Sequence, residues 1–314
     1  MQRPLVSILI PAYNADRTIA RTLSSCMNQT YKQVEIIVVD DASTDYTMEV
    51  IKRFSNIKLI THTLNEGIAK SRNNLLREAK GKYVVWLDAD DEMMHNRIEK
   101  QVMFMEYNPT VDIAGTWIYT DSETLPEKKL PTDPALIKAY LWFKNCIVQP
   151  SVISRNFYNE ENIFYDPEYD YMEDYELWYR LSKTKVIANI PEHLTIYDLP
   201  TLEKISVKHE RYEFEKKLNM LWELKWKDVN IDVNDYQKKL FQDFLYKFNR
   251  LKGKEVVELR RLLKQIKNND NKLMIHFYSL LLYVRLGGWD KLKNFDLFLS
   301  TVYYPKMKKM YLAQ

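Results

Sequence analysis

The sequence predicts an α/β protein with a mixed, mostly parallel sheet flanked by helices, followed by a helical C-terminal module. Three observations predict it. Short apolar runs alternate with amphipathic stretches in the first half, as in parallel sheets that are covered by helices. Several of these runs end directly in polar or acidic residues, at the position where such sheets bind ligands. From about Glu210 onward, apolar residues instead recur at helical spacing.

The first half shows the alternation most clearly. Five apolar runs predict strands at 5–10, 34–39, 57–61, 83–87 and 111–117. The amphipathic stretches between them predict helices at 15–27, 44–54, 68–79 and 97–107. Because parallel strands end at the same edge of a sheet, we expect the segments that follow them to converge.

The second half is less regular up to about residue 210. It predicts a strand at 147–154, a helix at 174–182 and short strands at 186–190 and 194–197. Two helical faces follow, formed by Leu240, Phe241, Phe244, Leu245 and Phe248, and by Val256, Leu259, Leu262, Leu263 and Ile266. A further helix is predicted at 272–286, before a glycine pair that favours its end.

Composition excludes several classes of protein. The 314 residues suffice for one large domain or two ordinary ones, and the formal charge of +3 is too small to indicate nucleic-acid binding. Cys26 and Cys146 lie far apart, which fits a reducing compartment and argues against a thiolate zinc site. Neither a signal peptide nor an apolar run of membrane-spanning length is present, so a cytoplasmic protein is expected.

Three carboxylates follow the predicted strand at 83–87, namely Asp88, Asp90 and Asp91, with Ala89 between them. Like charges this close repel one another unless a cation or a polar ligand joins them. Oxygen ligands of this kind suit Mg²⁺ or Mn²⁺, which also bind substrate phosphates. The residues therefore indicate a metal-bridged diphosphate site, and the alternative is an acidic turn that caps the next helix.

With these segments in place, the chain resembles the family 2 glycosyltransferases of the GT-A fold over about residues 4–200. The motifs that carry the resemblance are VSILIPAYN at 6–14, residues 25–31, EIIVVDDASTD at 35–45, NEGIAKSRN at 65–73, GKYVVWLDADD at 81–91 and EDYELW at 173–178. The resemblance implies a Rossmann-like catalytic domain at 1–210. Its nucleotide-sugar-binding half would be 1–118 and its acceptor-side half 119–210, with a helical module at 211–314.

The resemblance also implies an inverting enzyme that moves a hexosyl or N-acetylhexosaminyl group from a UDP-sugar, with Mn²⁺ or Mg²⁺ as cofactor. It assigns the donor site to Pro11, Ala12, Tyr13, Asp40, Asp41, Asn65, Gly67, Arg72, Asp88, Ala89 and Asp90. Tyr13 would stack on uracil and Asp41 would accept its N3–H, whereas Asp40 would anchor the turn or touch the ribose. The alternative for Tyr13 is a place in the core.

Metal and catalytic roles follow from the same resemblance. Asp90 and Asp88 would bind the metal, Asp88 also facing the ribose and sugar, with His209 as a further candidate metal ligand. Glu173 and Asp174 open a helix, and Asp174 would be the general base; the alternative is an acid that only favours the helix dipole. Arg72 could pair with diphosphate, with the aspartates, or in a surface ion pair.

The resemblance also indicates the acceptor and the surroundings of the enzyme. The acceptor would be a glycan, a lipid-linked sugar or a glycoprotein in bacterial surface glycan or glycoconjugate synthesis, and the C-terminal helices could form a homo-oligomer. The lysine- and tyrosine-containing tail at 302–314 would be a packing tail, a peripheral contact at the inner face of the membrane, or a subunit contact. The alternative functions are a sugar nucleotidyltransferase, although the loop at 11–14 lacks glycine, and a non-catalytic nucleotide-sugar-binding module.

Overall fold

The computed structural model describes residues 3–120, 126–198, 208–243 and 253–269. The strands are β1 Val6–Ala12, β2 Val34–Asp40, β3 Ile57–Thr61, β4 Tyr83–Trp86, β5 Glu92–Met93, β6 Ile113–Thr120, β7 Glu127–Lys128, β8 Ile153–Arg155 and β9 Ile187–Tyr197. The helices are α1 Ile19–Met27, α2 Thr47–Ile51, α3 Ile68–Glu78, α4 Arg97–Tyr107, α5 Pro134–Phe143, α6 Glu173–Leu181, α7 Lys208–Asp228, α8 Asp235–Gln242 and α9 Gly253–Asn269.

Within these ranges, the strands form one mixed sheet in the order β3-β2-β1-β4-β8-β6-β9-β5, with β7 paired to β6. β3, β2, β1 and β4 are parallel, and β6 runs parallel to β9. β8 runs antiparallel to both β4 and β6 and joins the two halves of the sheet. The predicted mixed sheet with flanking helices is therefore confirmed, and the ends of β1, β2 and β4 lie at one edge.

The core lies on both faces of the sheet, because successive side chains of a strand point to opposite faces. Leu9, Ile37 and Trp86 belong to one hydrophobic cluster, whereas Ile8 and Val38 belong to the other. All five are completely buried. Burial on both faces explains why these strands read as continuous apolar runs in the sequence.

The strand predicted at 147–154 is wrong over most of its length. Residues Gln149–Ser151 form a 3-10 turn, and only Ile153–Arg155 pairs in the sheet. Pro150 has no N–H to donate and its φ is fixed, so it does not continue a ladder of hydrogen bonds. The turn places Gln149 and Pro150 at the ligand edge instead.

The strands predicted at 186–190 and 194–197 are one continuous strand, β9. Its pairing with β6 shifts register on both sides of Trp117. Pro191 falls in this irregular stretch, between Ile190, which pairs with Thr116, and His193, which pairs with Trp117. A bulge accommodates a proline that regular pairing would exclude.

Helix α5 was not predicted. Its start carries a recognisable signal, because Asp133 accepts a hydrogen bond from the N–H of Leu136 at 3.0 Å and Pro134 occupies the first turn. Trp142 at its other end packs edge-to-face against Trp222 and Phe241. Helix α5 thereby links the sheet region to α7 and α8.

The predicted helical character of the C-terminal region is confirmed in α7, α8 and α9. Leu240, Phe241, Leu259, Leu262 and Leu263 are buried there in the cluster that also contains Leu9 and Trp86. The division of the chain at residue 210 stays a prediction. Phe244, Leu245, Phe248, the helix at 272–286 and the tail at 302–314 lie outside the described residues.

Helix α7 buries Lys225 completely. Its Nζ donates a hydrogen bond to Tyr175 Oη at 2.6 Å and lies 3.8 Å from the centroid of that ring, beside Trp222. Burial lowers the pKa of Lys225 well below its usual value of 10.5. Burying the charged form of Lys225 therefore lowers the free energy of unfolding. This destabilisation is fully present below the pKa that Lys225 has in the folded state, and it disappears as the pH rises towards 10.5, the pKa of an unfolded lysine.

Candidate active site

A cavity of about 1040 Å³ lies at the edge of the sheet where β1, β2 and β4 end. Its lining includes most of the residues assigned from the sequence, namely Pro11, Ala12, Tyr13, Asp41, Asn65, Gly67, Arg72, Asp88, Glu173 and Asp174. Asp40, Ala89 and Asp90 do not line it. The cavity also contains residues that the sequence did not indicate, among them Lys128, Lys144, Asn145, Asp170, Tyr171 and Tyr197.

The loops after β1 and β2 are tied together by hydrogen bonds. The N–H of Asn14 donates to Ser43 Oγ at 3.0 Å, and Asn14 Oδ1 accepts the N–H of Thr44 at 2.8 Å. Ser43 Oγ donates in turn to Asp40, which is buried. Asp40 therefore anchors this turn, one of its two predicted roles. Tyr13 is 50% exposed, so it is a cavity residue and not a core tyrosine.

Asp41 is buried and its carboxylate holds the turn before α3. Its Oδ1 accepts the N–H of Glu66 and its Oδ2 accepts the N–H of Gly67, both at 2.9 Å, while His62 Nδ1 lies 2.6 Å from Oδ1. Asn65 Nδ2 donates to the Asp41 carbonyl at 3.4 Å. Because a carboxylate oxygen has two acceptor sites, Oδ2 retains the capacity to accept a further donor from the cavity.

Gly67 allows a close approach of Asp170, which the sequence did not indicate. Gly67 has φ +89°, and a Cβ at this position would lie 2.6 Å from Asp170 Oδ2. Asp170 Oδ1 accepts the N–H of Ala69 at 3.3 Å in the first turn of α3. The backbone conformation therefore favours glycine here, and a side chain at this position would also displace the Asp170 carboxylate.

Arg72 is buried and joins the end of β4 to the start of α6. Its Nη2 donates to Asp88 Oδ1 at 3.1 Å, its Nη1 donates to Glu173, and its guanidinium lies 5.6 Å from the ring centroid of Tyr165. The surface ion pair considered for Arg72 is thus excluded. Although burial lowers the pKa of Arg72, the charges of Asp88 and Glu173 raise it above its ordinary value, so the guanidinium stays charged.

The acids after β4 differ in environment. Asp91 is buried; its Oδ1 accepts the N–H of Asp198 at 2.8 Å, and its Oδ2 is buried without a hydrogen-bond partner. Burial and the charges of Asp88 and Asp90 raise the pKa of Asp91. The Asp90 carbonyl accepts a hydrogen bond at 2.7 Å from Arg21, which also donates to Asp198 at 2.7 Å. The end of β9 is thereby fastened to the acidic turn.

These residues fit a hard divalent cation in their chemistry. They supply oxygen donors only, they carry like charges that a cation would relieve, and they include an unsatisfied buried oxygen on Asp91. Within the described ranges, no three histidine, cysteine, aspartate or glutamate side chains gather around a common metal position. His209 lies in the first turn of α7, and its side chain is outside the described part, so its metal role stays a prediction.

Glu173 and Asp174 begin α6, as predicted. Glu173 is buried against Arg72, whereas Asp174 is half-buried, and Asp174 Oδ2 accepts a hydrogen bond from Asn145 Nδ2 at 3.0 Å. Burial raises the pKa of Asp174, and the charge of Arg72 opposes that shift. A carboxylate of this kind, partly desolvated and open to a cavity, is suited to accept a proton.

Tyr171 precedes these acids and has φ +72°, a conformation that bulky side chains rarely adopt. Its ring is 56% exposed and lines the cavity. Nothing in the sequence pattern separates this tyrosine from the many others in the chain.

Across the residues described, no helix is both long enough and apolar enough to cross a bilayer.

Comparison with known proteins identifies the family. The family model for glycosyl transferase family 2 matches residues 7–167. The chain is 33% identical over 234 residues to an uncharacterized glycosyltransferase of Haemophilus influenzae. The aligned residues cover 68% of this chain and 72% of the relative. It is 33% identical over 190 residues to Escherichia coli WfgD, named a UDP-Glc:α-D-GlcNAc-diphosphoundecaprenol β-1,3-glucosyltransferase, covering 59% of this chain and 73% of WfgD.

Solved structures show the same fold. S. aureus TarS residues 1–349, in complex with UDP, matches with a TM-score of 0.59 at 19% identity, covering 94% of this chain and 91% of TarS. The mannosyltransferase PcManGT of Pyrobaculum calidifontis, in complex with GDP-Man and Mn²⁺, matches with a TM-score of 0.58 at 16% identity. The match covers 95% of this chain and 86% of PcManGT. The expected GT-A fold is confirmed, and the chain belongs to glycosyl transferase family 2.

Proposed function

We propose that this glycosyltransferase moves a hexosyl or N-acetylhexosaminyl group from a UDP-sugar to a hydroxyl acceptor, with inversion at the anomeric carbon. The observation that carries the proposal is the cavity that Asp174 shares with Tyr13, Asp41 and Asp88. One carboxylate thus faces the same space as the loops that end β1, β2 and β4. The names of relatives such as WfgD support a role in bacterial surface glycan synthesis.

Asp174 is the proposed general base. It takes the proton of the acceptor hydroxyl as that oxygen attacks the anomeric carbon, while the bond from this carbon to the UDP oxygen breaks and the electron pair leaves with UDP. A single displacement of this kind inverts the configuration. Glu173 is committed to Arg72 by a buried ion pair, so we assign it the role of holding Arg72 and not that of a second base.

Asp88 and Asp90 are the proposed metal-binding residues. A bound Mn²⁺ or Mg²⁺ would neutralise the negative charge on the diphosphate of the departing UDP. Arg72 holds Asp88 from the side of α3, and Arg21 holds the backbone of Asp90 from α1. These contacts keep the acidic turn in place. The Mn²⁺ in the PcManGT complex supports the choice of metal.

Tyr13 and Asp41 are the proposed determinants of nucleotide choice. The exposed ring of Tyr13 offers a surface on which a nucleobase can stack. Asp41 lines the cavity and can accept the N3–H of uracil, while its bonds to Glu66 and Gly67 fix its orientation. A carboxylate held in this way would reject a base that presents an acceptor at the same position.

The acceptor is proposed to be a lipid-linked sugar, a class that the name of WfgD supports; a free glycan or a glycoprotein remains the alternative. The test is a panel of UDP-, GDP- and CDP-sugars with Mn²⁺, assayed with an alkyl α-GlcNAc diphosphate as acceptor. Proton NMR of the product reads its anomeric configuration. A product that keeps the donor configuration, or transfer from GDP-sugars only, would overturn the proposal.

A further inference from the structure

Asn145 donates a side-chain hydrogen bond to the carboxylate of the proposed base. It follows α5 and lies 29 positions before Asp174. Its Nδ2 donates to Asp174 Oδ2 at 3.0 Å, and its Oδ1 accepts the N–H of Ile147 at 3.0 Å. Both ends of the amide are therefore engaged, one by the backbone two residues ahead and the other by the carboxylate.

The orientation of this amide is set by the chain itself. Since the N–H of Ile147 requires an acceptor, Asn145 must turn its oxygen towards Ile147 and its NH₂ group towards Asp174. The turn is anchored in the core, because Cys146 and Ile147 are buried and the Cys146 carbonyl accepts a hydrogen bond from Asn189 Nδ2 at 3.2 Å. The donor thus stands ready before any substrate binds.

The carboxylate of Asp174 is held at both oxygens. Oδ1 accepts the N–H of Tyr175 at 2.6 Å, and Oδ2 accepts the NH₂ group of Asn145. Burial raises the pKa of Asp174 and outweighs the charge of Arg72 and these two hydrogen bonds, which act in the opposite direction. The other titratable groups that act on or with Asp174 are Asp88 after β4, Glu173 on α6, Tyr165 before α6 and Tyr197 on β9.

We propose that Asn145 is a positioning residue for the reaction: its amide fixes the Asp174 carboxylate towards the acceptor and keeps it ready to accept a proton. The inference rests on the proposed role of Asp174. It goes beyond that role in assigning a function to the turn after α5. Since both residues line the same cavity, the contact lies beside the space that the acceptor would occupy.

Two substitutions separate positioning from a role in the turn. Asn145→Asp keeps an oxygen that can accept the N–H of Ile147, but it replaces the NH₂ group that donates to Asp174 by a second negative charge. Asn145→Ser keeps a hydroxyl that can form a weaker hydrogen bond within the turn, but this side chain is too short to reach Asp174. We expect both variants to lower kcat by about 10- to 100-fold, the scale of one hydrogen bond to a charged group. UDP affinity by calorimetry should change little. Lys138→Gln, on the exposed side of α5, is the control.

The pH profile provides a readout that a structural role would not move. In Asn145→Ser, the acidic limb of kcat/KM should move to higher pH, because the variant loses a hydrogen bond that lowers the pKa of Asp174. In Asn145→Asp the limb should move further, because a second carboxylate also disfavours ionisation of Asp174. An unchanged kcat and an unchanged limb in both variants would overturn the proposal. If Asp174→Asn is itself fully active, the proposed base is wrong instead, so the two failures are distinguishable.

A double-mutant cycle tests the contact without turnover. The free energies of unfolding of Asn145→Ser, Asp174→Asn and the double variant should be non-additive, as expected for residues in direct contact. In the assay, Asn145→Ser should cost nothing further once Asp174 is replaced, because the two residues act as a unit. Additive effects in both measurements would contradict the inference.

Discussion

Replacing Arg72 by methionine is expected to destabilise the fold by about 3–5 kcal/mol, because it leaves buried carboxylates without their counter-charge. The Arg72 side chain is 5% exposed and Glu173 is 7% exposed, so water screens this pair little. Asp88, at 27%, is reached by solvent and should contribute less. The loss of stability should come mainly from Glu173, which without Arg72 must either stay charged in a buried place or take up a proton, because burial already raises its pKa to about 7.

A second variant isolates this cause. In Arg72→Met combined with Glu173→Gln, the glutamine needs no counter-charge, so the double variant should be less destabilised than the sum of the single variants by at least about 1 kcal/mol. Lys58→Met is the control, since it removes an ion pair with Glu78 that is exposed on both sides. That control should cost no more than about 1 kcal/mol.

The assay is urea denaturation followed by circular dichroism, with the free energy of unfolding extrapolated to water. A loss below about 1 kcal/mol in Arg72→Met would show that solvent reaches the ion pair and would refute the reasoning. Additivity between Arg72 and Glu173 would refute it as well, because the energetic link between α3 and α6 would then be absent.

Three further predictions concern other parts of the molecule. Lys225→Met should raise the free energy of unfolding at pH 7 by about 1–4 kcal/mol, and the gain should shrink as pH approaches 10.5; an equal gain in Lys227→Met, on the exposed side of α7, would contradict the burial argument. Asp90→Ala, or excess EDTA on the wild type, should abolish transfer while the circular dichroism spectrum stays unchanged; full activity in EDTA would remove the metal from the mechanism. UDP should bind more tightly than GDP or CDP by calorimetry, and the affinity for UDP should fall in Tyr13→Ala, which removes the stacking surface; equal affinities for the three nucleotides in the wild type would remove the uracil assignment.

The first half of the fold was predictable because its information is local. The parallel strands are mainly apolar runs, and the ligand-binding residues follow the strands directly, as Tyr13 and Asp41 do after β1 and β2. Alternation of strands and helices then requires these loops to meet at one edge. The positions of Tyr13 and Asp41 therefore follow from the order of strands and helices alone, without knowledge of contacts between distant residues.

The remaining site residues depend on contacts between distant parts of the chain. Asn145 reaches Asp174 from 29 positions away, and Asp170 meets α3 across 101 positions. Neither residue belongs to a periodic pattern that would single it out. The strand predicted at 147–154 is wrong for a local reason, because Pro150 cannot donate a ladder hydrogen bond even though apolar residues surround it.

The role of Asp174 as general base is tested most directly by the turnover of Asp174→Asn, measured together with its affinity for UDP. Asparagine preserves the shape of the side chain but cannot take the proton of the acceptor hydroxyl, so kcat should fall by about 10²-fold or more. The dissociation constant of UDP, measured by calorimetry with Mn²⁺, should stay close to that of the wild type. Wild-type turnover, or a UDP affinity that collapses together with kcat, would contradict Asp174 as the general base.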